Sequence, residues 1–289
     1  MRITSLVDVD SWLVQLKFLN QKNHCLAPTF WRPFHFVTLA LQIARSGAPS
    51  LGIPEAIAGY ASRMHLWQAI GLRPPTDVNE RDPKGKFVPL ERLDDPEVVH
   101  DRAVKLAGIC KAYGADKETT NSLEISLQEI MDNCFAHAAV GDALRGLACA
   151  QSWPGGKLAQ IAIADHGIGV RASLEGNADL RPMLSRANAC EVATRFGVTS
   201  KPELGHAGYG LALARELFAA NGGSLIVRSG SEWSITTGEK SAEGVSLYTW
   251  PGTLIVLEWN CDKPLRVKDV YSGWPAVTGY SDDDFDFPF

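Results

Sequence analysis

The sequence predicts an α/β protein with a small N-terminal α/β domain over residues 1–90, followed over residues 91–262 by a mixed sheet covered by helices. Three observations predict this class. A helix-like run at 127–138 sets polar residues among apolar ones, two strand-like runs meet at the turn PGG, and glycines at 205–210 open a strongly helical stretch. Helices thus alternate with paired strands, as expected for layers packed around a sheet.

The composition fits a globular protein and argues against several functional classes. Of 289 residues, 45% are hydrophobic and 21% charged, which is enough apolar material for one large core or two modest ones. A formal net charge of −5 without a Lys/Arg-rich block argues against direct nucleic-acid binding. The six cysteines show no spacing suited to zinc, so we expect free thiols in a reducing cytoplasm. Neither a signal-like segment nor a membrane-spanning apolar run is found, so we expect no membrane contact.

The N-terminal third of the chain predicts a small unit without chemistry of its own. Residues 11–19 alternate well enough to predict a strand, and residues 26–47 predict a turn followed by a helix that ends at Gly47. Residues 54–71 predict a second helix that begins at a proline. Residues 73–86 are rich in proline and charge, which is typical of a linker or exposed loop.

The second domain begins with a short strand and two helices. Asn121 with Glu124 resembles a capping box and predicts the start of the helix that contains residues 127–138. A polar connection containing SEWSITTGEK is predicted between the last two strands. The other predicted elements are strands at 87–93, 145–153, 157–165, 224–230 and 252–259, and helices at 96–113, 184–196 and 211–222.

The helix-like run at 127–138 is the first candidate site. Glu129, Asn133 and His137 are spaced four residues apart, so at about 100° per residue they can face one pocket, with Asp132 beside them. A carboxylate and an amide in that arrangement suit magnesium and phosphate chemistry. The alternative is an ordinary amphipathic helix whose polar stripe faces water.

Two glycine motifs are the other candidates. Asp165, Gly167 and Gly169 end a strand, where a carboxylate can enter a pocket while the backbone turns sharply, although turns of this composition are common. Gly205, Gly208 and Gly210 with Leu211 open a helix, where free backbone N–H groups suit phosphates. A Rossmann motif would instead have GxGxxG directly after a strand.

In this order, the motifs ExxDNxxxH, DxGxG, GxxGxGL and a late GT strand resemble the GHKL superfamily of ATP-binding domains. DNA gyrase, heat-shock chaperones, MutL mismatch-repair ATPases, sensor histidine kinases and anti-sigma-factor serine kinases share that domain. The resemblance covers roughly residues 95–260. It implies a two-layer α/β sandwich in which ATP lies between a mixed sheet and its helices.

The resemblance implies a role for each motif. Asn133 would bind Mg²⁺, and Glu129 would act as the general base. Asp165 would accept a hydrogen bond from the adenine amino group, with Thr253 supporting adenine recognition. The remaining cofactor-binding positions that it implies are Gly167 and Gly169 under the base, and Gly205, Gly208, Gly210 and Leu211 at the phosphates, with Asp132, His137 and Lys201 as further candidates.

The spacing of the predicted elements argues against two kinds of GHKL protein. Only 29 residues separate His100 from Glu129, which is too few for the phosphoacceptor hairpin of a sensor histidine kinase. We also expect no transducer domain of the kind that follows the ATP domain in gyrase-like enzymes. The closest kinds are therefore anti-sigma-factor serine kinases and stand-alone bacterial ATP-binding proteins. The N-terminal region is loosely similar to a STAS-type domain.

Residues 263–289 are predicted to be an irregular segment with an acidic aromatic tail. The tail SDDDFDFPF resembles the acidic C-terminus of bacterial single-stranded-DNA-binding proteins, which recruits other proteins; the alternative is a solubilising tail or an intramolecular strap.

The function expected from the sequence is a Mg·ATP-dependent regulatory switch in signalling, with slow hydrolysis or protein phosphotransfer. The alternatives are a non-catalytic ATP-dependent interaction module, or a DNA-repair or defence ATPase recruited through the tail. A protein partner is expected at the N-terminal domain, and a homodimer is left open.

Overall fold

A computed structural model of the chain describes residues 2–22, 28, 30–46, 55–73, 85–137, 144–200 and 208–275. Within these residues, one five-stranded sheet lies between helices, so the predicted α/β sandwich is confirmed at this level. No helix in this part of the chain is long and apolar enough to cross a membrane.

The sheet has the order β1-β2-β3-β5-β4, and every neighbouring pair of described strands is antiparallel. The prediction of a mixed sheet is therefore wrong for these strands. Short turns join β2 to β3 and β4 to β5, and a short turn forces the second strand to return antiparallel to the first. The strands are β1 (Phe87–Leu93), β2 (Gly146–Trp153), β3 (Leu158–Asp165), β4 (Ser224–Thr237) and β5 (Lys240–Asn260).

The helices precede, connect and follow these strands. They are α1 (Leu6–Lys22), α2 (Pro33–Ser46), α3 (Glu55–Arg63), α4 (Leu66–Ala69), α5 (Val99–Ala107), α6 (Lys117–His137), α7 (Val170–Glu175), α8 (Arg181–Leu184), α9 (Ala189–Val192), α10 (Gly210–Asn221) and α11 (Val267–Ser272). Short 3-10 turns occur at Pro96–Val98, Gly108–Tyr113, Pro154–Gly156 and Ala178–Leu180.

The two faces of the sheet carry separate hydrophobic cores. On β3, Ile161 and Ile163 contribute to the core beneath α5, α6 and α10, whereas Ala162 and Ala164 contribute to the core beneath α1 and α2. Successive residues of a strand point to opposite faces, so β3 can supply both cores at once. The described chain is thus a three-layer arrangement, with the N-terminal helices as the third layer.

The strand predicted for residues 11–19 is wrong, because these residues lie within α1. Val9, Trp12, Leu13 and Leu16 are all buried, and their spacing is that of one helical face. Within the described residues before 74, the regular elements are helices, so the α/β character expected there is not found.

The N-terminal segment is also bonded to the sheet. Both carboxylate oxygens of the fully buried Glu258 accept from Thr4, and Arg32 donates to the same carboxylate at 2.7 Å. The domain boundary that we place near residue 90 falls inside β1 and stays a prediction. The helices before it nevertheless share a core with the strands after it.

Other predicted elements hold with corrected bounds. Strand 87–93 and the hairpin at PGG are confirmed, and the helix at 96–113 is confirmed with 3-10 ends before Gly114. The capping box at Asn121 is wrong: α6 begins earlier, where the Asp116 carboxylate accepts from the Thr119 N–H at 2.7 Å. His65 takes a left-handed conformation and divides the helix predicted over 54–71.

The last two strands and the C-terminal segment differ most from the predictions. The polar stretch SEWSITTGEK belongs almost wholly to the β4–β5 hairpin. The helix at 184–196 is replaced by α8 and α9, and the segment expected to be irregular contains α11. Gly47 and the tail 281–289 lie outside the described residues, as does most of the predicted linker.

Candidate functional site

Asp165 ends β3 with its carboxylate buried. The strand LAQIAIAD is buried along its whole length, so its last side chain is only 6% exposed. The Oδ1 atom of Asp165 accepts from the backbone N–H of Gly167 at 2.6 Å and from that of Thr253 at 3.2 Å. Burial raises the pKa of Asp165 to about 6, against the lowering effect of these hydrogen bonds. The result is a fixed hydrogen-bond acceptor at the edge of the sheet.

Gly252 allows β5 to pass directly beside this carboxylate. Its φ is +88°, and a Cβ placed on it would lie 2.6 Å from the Oδ1 atom of Asp165 and 2.3 Å from that residue's carbonyl oxygen. Only glycine fits both the space and the backbone conformation. The backbone N–H of the neighbouring Thr253 can therefore donate to Asp165.

Ser229 joins three segments around Gly169. Its buried hydroxyl donates to the carbonyl oxygen of Gly252 at 2.7 Å and accepts from the N–H of Val170 at 2.8 Å. A Cβ on Gly169, whose φ is +80°, would lie 2.8 Å from the Ser229 oxygen. Ser229 was not predicted as a site residue, because nothing in SLIVRSG distinguishes it from a serine facing water.

Helix α6 presents Glu129 and Asn133 one turn apart, as the spacing predicts. The Asn133 side-chain N–H donates to the Glu129 carbonyl at 3.0 Å. Glu129 and Asp132 are exposed, whereas Ile130 and Met131 between them are buried in the core. His137 is in the helix, but its side chain lies outside the described residues.

The glycines before α10 bring its N-terminus against α6. A Cβ on Gly210 would lie 3.0 Å from the Cβ of Glu129, and one on Gly208, whose φ is +73°, would lie 2.5 Å from the carbonyl oxygen of Val198. No described side chain caps α10, so within the described residues its first N–H groups have no side-chain acceptor. Leu211 packs on the core, and Lys201 and Gly205 lie outside the described residues.

The predicted residues thus form two groups on one side of the sheet. Asp165, Gly167, Gly169 and Thr253 surround the end of β3. Glu129 meets Gly210 where α6 contacts α10, and Asn133 lies one turn further along α6. Val170 and Leu211, which follow Gly169 and Gly210, pack against the same hydrophobic core.

The donor set at Asn133 fits magnesium held mainly by phosphates. Among the described residues, no group of three or more His, Cys, Asp or Glu could hold a metal ion. Because the Asn133 donor end is used by Glu129, its amide oxygen is the end suited to a cation. Mg²⁺ commonly takes one or two protein oxygens and completes its shell with phosphate and water.

Aromatic residues near α10 were also missed. The rings of Phe196 and Tyr209 stack with centroids 4.8 Å apart, and Trp274 packs against both. The sequence indicates this cluster only weakly, because Trp274 lies in a segment without regular hydrophobic periodicity.

A scan of protein-family models gives no match to this chain. A search of curated proteins likewise gives no significant match.

Proposed function

We propose that this chain is a Mg·ATP-binding regulatory protein that slowly hydrolyses ATP or transfers its γ-phosphate to a protein. The observation that carries the proposal is the Asp165 carboxylate, buried at a strand end and held by the N–H groups of Gly167 and Thr253. Both backbone hydrogen bonds end on Oδ1, and in this proposal Oδ2 would accept from the adenine amino group. A buried acceptor of this kind selects strongly for ligands that carry a hydrogen-bond donor, since it is left unpaired when the ligand lacks one.

The contact between α6 and α10 supports the phosphate end of the proposal. The N-terminus of α10 supplies N–H groups that no described side chain caps, and the positive end of a helix dipole, which together suit an anion. Asn133 would hold the magnesium ion, whose charge offsets that of the phosphates. Glu129 lies beside Gly210 and would orient and deprotonate the attacking water or hydroxyl group.

The regulatory part of the proposal concerns a protein partner. The helices α1 and α2 cover the sheet face opposite the proposed ATP site and share their core with β3 and β5. A conformational change at Asp165 or Thr253, where β3 and β5 border the proposed site, would therefore be transmitted to α1 and α2 through this shared core. We place the partner there, with the C-terminal tail as a further contact.

The experiment that tests the proposal is ADP release by the purified chain, with ATP binding measured beside it. We expect Glu129→Ala to bind ATP and to release ADP about 100-fold more slowly, as for loss of a general base. Asn133→Ala should lose the magnesium dependence of binding. Glu124→Ala, which removes another carboxylate from α6, is the matched control and should behave as wild type.

Two outcomes contradict the proposal at different levels. If wild type and Glu129→Ala bind ATP equally and release ADP at the same rate, Glu129 is not the base, and the chain is better described as a non-catalytic ATP-dependent interaction module. If wild type does not bind ATP, the nucleotide proposal itself fails.

A further inference from the structure

The pairing of β4 with β5 is interrupted beside the candidate adenine site. Ser229 pairs with Thr253. The next residue, Gly230, pairs with Trp250, so residues 251 and 252 are extra on β5. One of them is Gly252, the close neighbour of the buried carboxylate. A bulge of this kind disrupts the ladder of backbone hydrogen bonds, so the strands there need donors from elsewhere.

A second interruption follows at once. After Gly230, the next paired residue of β4 is Glu232, whose partner on β5 is Val245. Residues 246–249 of β5 therefore lie opposite a single residue of β4, Ser231. The two strands are thus irregular over the whole stretch that leads into the site.

Arg228 supplies hydrogen-bond donors across both interruptions. Its side chain is fully buried. The guanidinium donates to the carbonyl oxygens of Gly230 at 3.2 Å and Glu232 at 2.9 Å, and also to that of Tyr248 on β5. Arg228 therefore joins the two strands where the regular ladder does not.

The charge of Arg228 is balanced from the N-terminal layer. Its Nε atom lies 3.5 Å from the Oδ1 atom of Asp10, which belongs to α1. A buried guanidinium needs an opposite charge nearby, because it has lost its contact with water. Burial lowers the pKa of Arg228, and the negative charge of Asp10 opposes that lowering. Asp10 thus stabilises the charged side chain in its buried position.

The residue after Arg228 holds the same stretch from the other face of the sheet. The Ser229 hydroxyl donates to the Gly252 carbonyl and accepts from the Val170 N–H. Successive residues of a strand point to opposite faces, so Arg228 faces α1 while Ser229 faces the site. A shift of Arg228 would therefore move the backbone that carries Ser229.

We propose that the ion pair between Asp10 and Arg228 positions the adenine end of the site, so that a protein partner that moves α1 changes the affinity for ATP. The proposal rests on the function proposed above, in which the Asp165 carboxylate binds the adenine amino group. Arg228 is a positioning residue, acting through Ser229 and Gly252. Its counter-charge lies in the layer where we place the protein partner.

The first test compares ATP with a ligand that lacks the base. Asp10→Asn keeps the shape of the side chain and removes its charge. We expect it to bind Mg·ATP about tenfold more weakly, a usual size for coupling between separate sites, and to bind Mg·tripolyphosphate within about twofold of wild type. Calorimetric titration measures both affinities.

Asp8→Asn is the matched control for this test. It also removes a charge from α1, but the Asp8 carboxylate binds Arg2 and Ser5 instead of Arg228. It should leave both affinities unchanged. The proposal is overturned by an unchanged ATP affinity in Asp10→Asn, by an equal loss in Asp8→Asn, or by an equal loss for tripolyphosphate, which a general loss of structure would produce.

The second test needs no nucleotide. Hydrogen exchange is measured at the amides of Gly167, Val170 and Thr253, which donate to Asp165 or Ser229. We expect exchange about tenfold faster in Asp10→Asn than in wild type or Asp8→Asn, because exchange reports local opening. Equal exchange in all three proteins would overturn the proposal even if the chain binds ATP. Absence of ATP binding by wild type would count against the proposed function, and the exchange rates would still decide whether the ion pair holds this stretch.

Discussion

Gly252 and Asp165 are packed so closely that a Cβ on the glycine would overlap the carbonyl oxygen of the aspartate, at 2.3 Å. The same glycine lets the next N–H, that of Thr253, donate to the Asp165 carboxylate. The end of β3 and the middle of β5 are therefore one unit, and a change in either should alter the candidate adenine site.

Gly252→Ala should weaken or abolish ATP binding, because the added methyl group forces β5 away from Asp165. Gly238→Ala is the control: its φ is also positive, but open space surrounds it, so only the backbone strain of about 1–2 kcal/mol applies. Calorimetric titration with Mg·ATP and urea unfolding of both variants measure the two effects. Equal ATP affinity in the two variants would contradict this prediction.

Ser229→Ala should lower the free energy of unfolding by about 1–3 kcal/mol, since it removes a buried hydroxyl with partners on Gly252 and Val170. Ser224→Ala is the matched control on the same strand, because its buried hydroxyl makes no hydrogen bond within the described residues. Urea unfolding should show a clearly smaller loss for Ser224→Ala. A reversed order would mean that the Ser229 hydroxyl does not join these segments.

Gly208→Ala should destabilise the start of α10 more than Gly197→Ala does. Both glycines have a φ near +72°, but only at Gly208 would a Cβ overlap the backbone of Val198. Both variants therefore carry the backbone strain of a positive φ, but only Gly208→Ala adds a steric clash with Val198. Hydrogen exchange of the α10 amides should rise in Gly208→Ala alone; equal exchange in both variants would contradict the close contact.

Asp165 should make stability depend on pH. Its pKa is about 6 in the folded chain and near the ordinary 3.8 in the unfolded chain, so the protonated carboxyl favours folding. This contribution is fully present below about pH 4 and is lost as the pH rises through about 6, a change of roughly 3 kcal/mol. Asp165→Asn is neutral throughout, so the stability of wild type relative to this variant should fall across that window in urea unfolding. A constant difference would show that the pKa is not raised.

Much of the candidate site could be predicted from local sequence, because the residues around each motif determine its local conformation. Asp165 lies at the end of an apolar strand, Gly208 precedes a strongly apolar helix, and Gly210 begins that helix. Glu129 and Asn133 follow helical spacing. Ser229, which holds two of these motifs together, could not be predicted in this way, since it acts through contacts with segments distant in the sequence.

The incorrect predictions of secondary structure have physical causes. Residues 11–19 alternate over a short window, but including Val9 shows the helical spacing of Val9, Trp12, Leu13 and Leu16. The polar stretch after Gly230 was predicted to be a connection, yet it pairs as a hairpin held partly by Glu232, whose carboxylate forms an ion pair with Arg171. Local polarity could not reveal that long-range pair.

The most direct test of the nucleotide proposal is calorimetric titration of wild type and Asp165→Asn with Mg·ATP at pH 7 and pH 5. The variant keeps an oxygen for Gly167 and Thr253 but presents N–H donors to the adenine amino group, so we expect at least about tenfold weaker binding. Wild type should itself weaken about tenfold at pH 5, as the carboxylate takes up a proton, while the variant stays unchanged. No ATP binding by wild type, or equal affinity in the two proteins, would contradict the account.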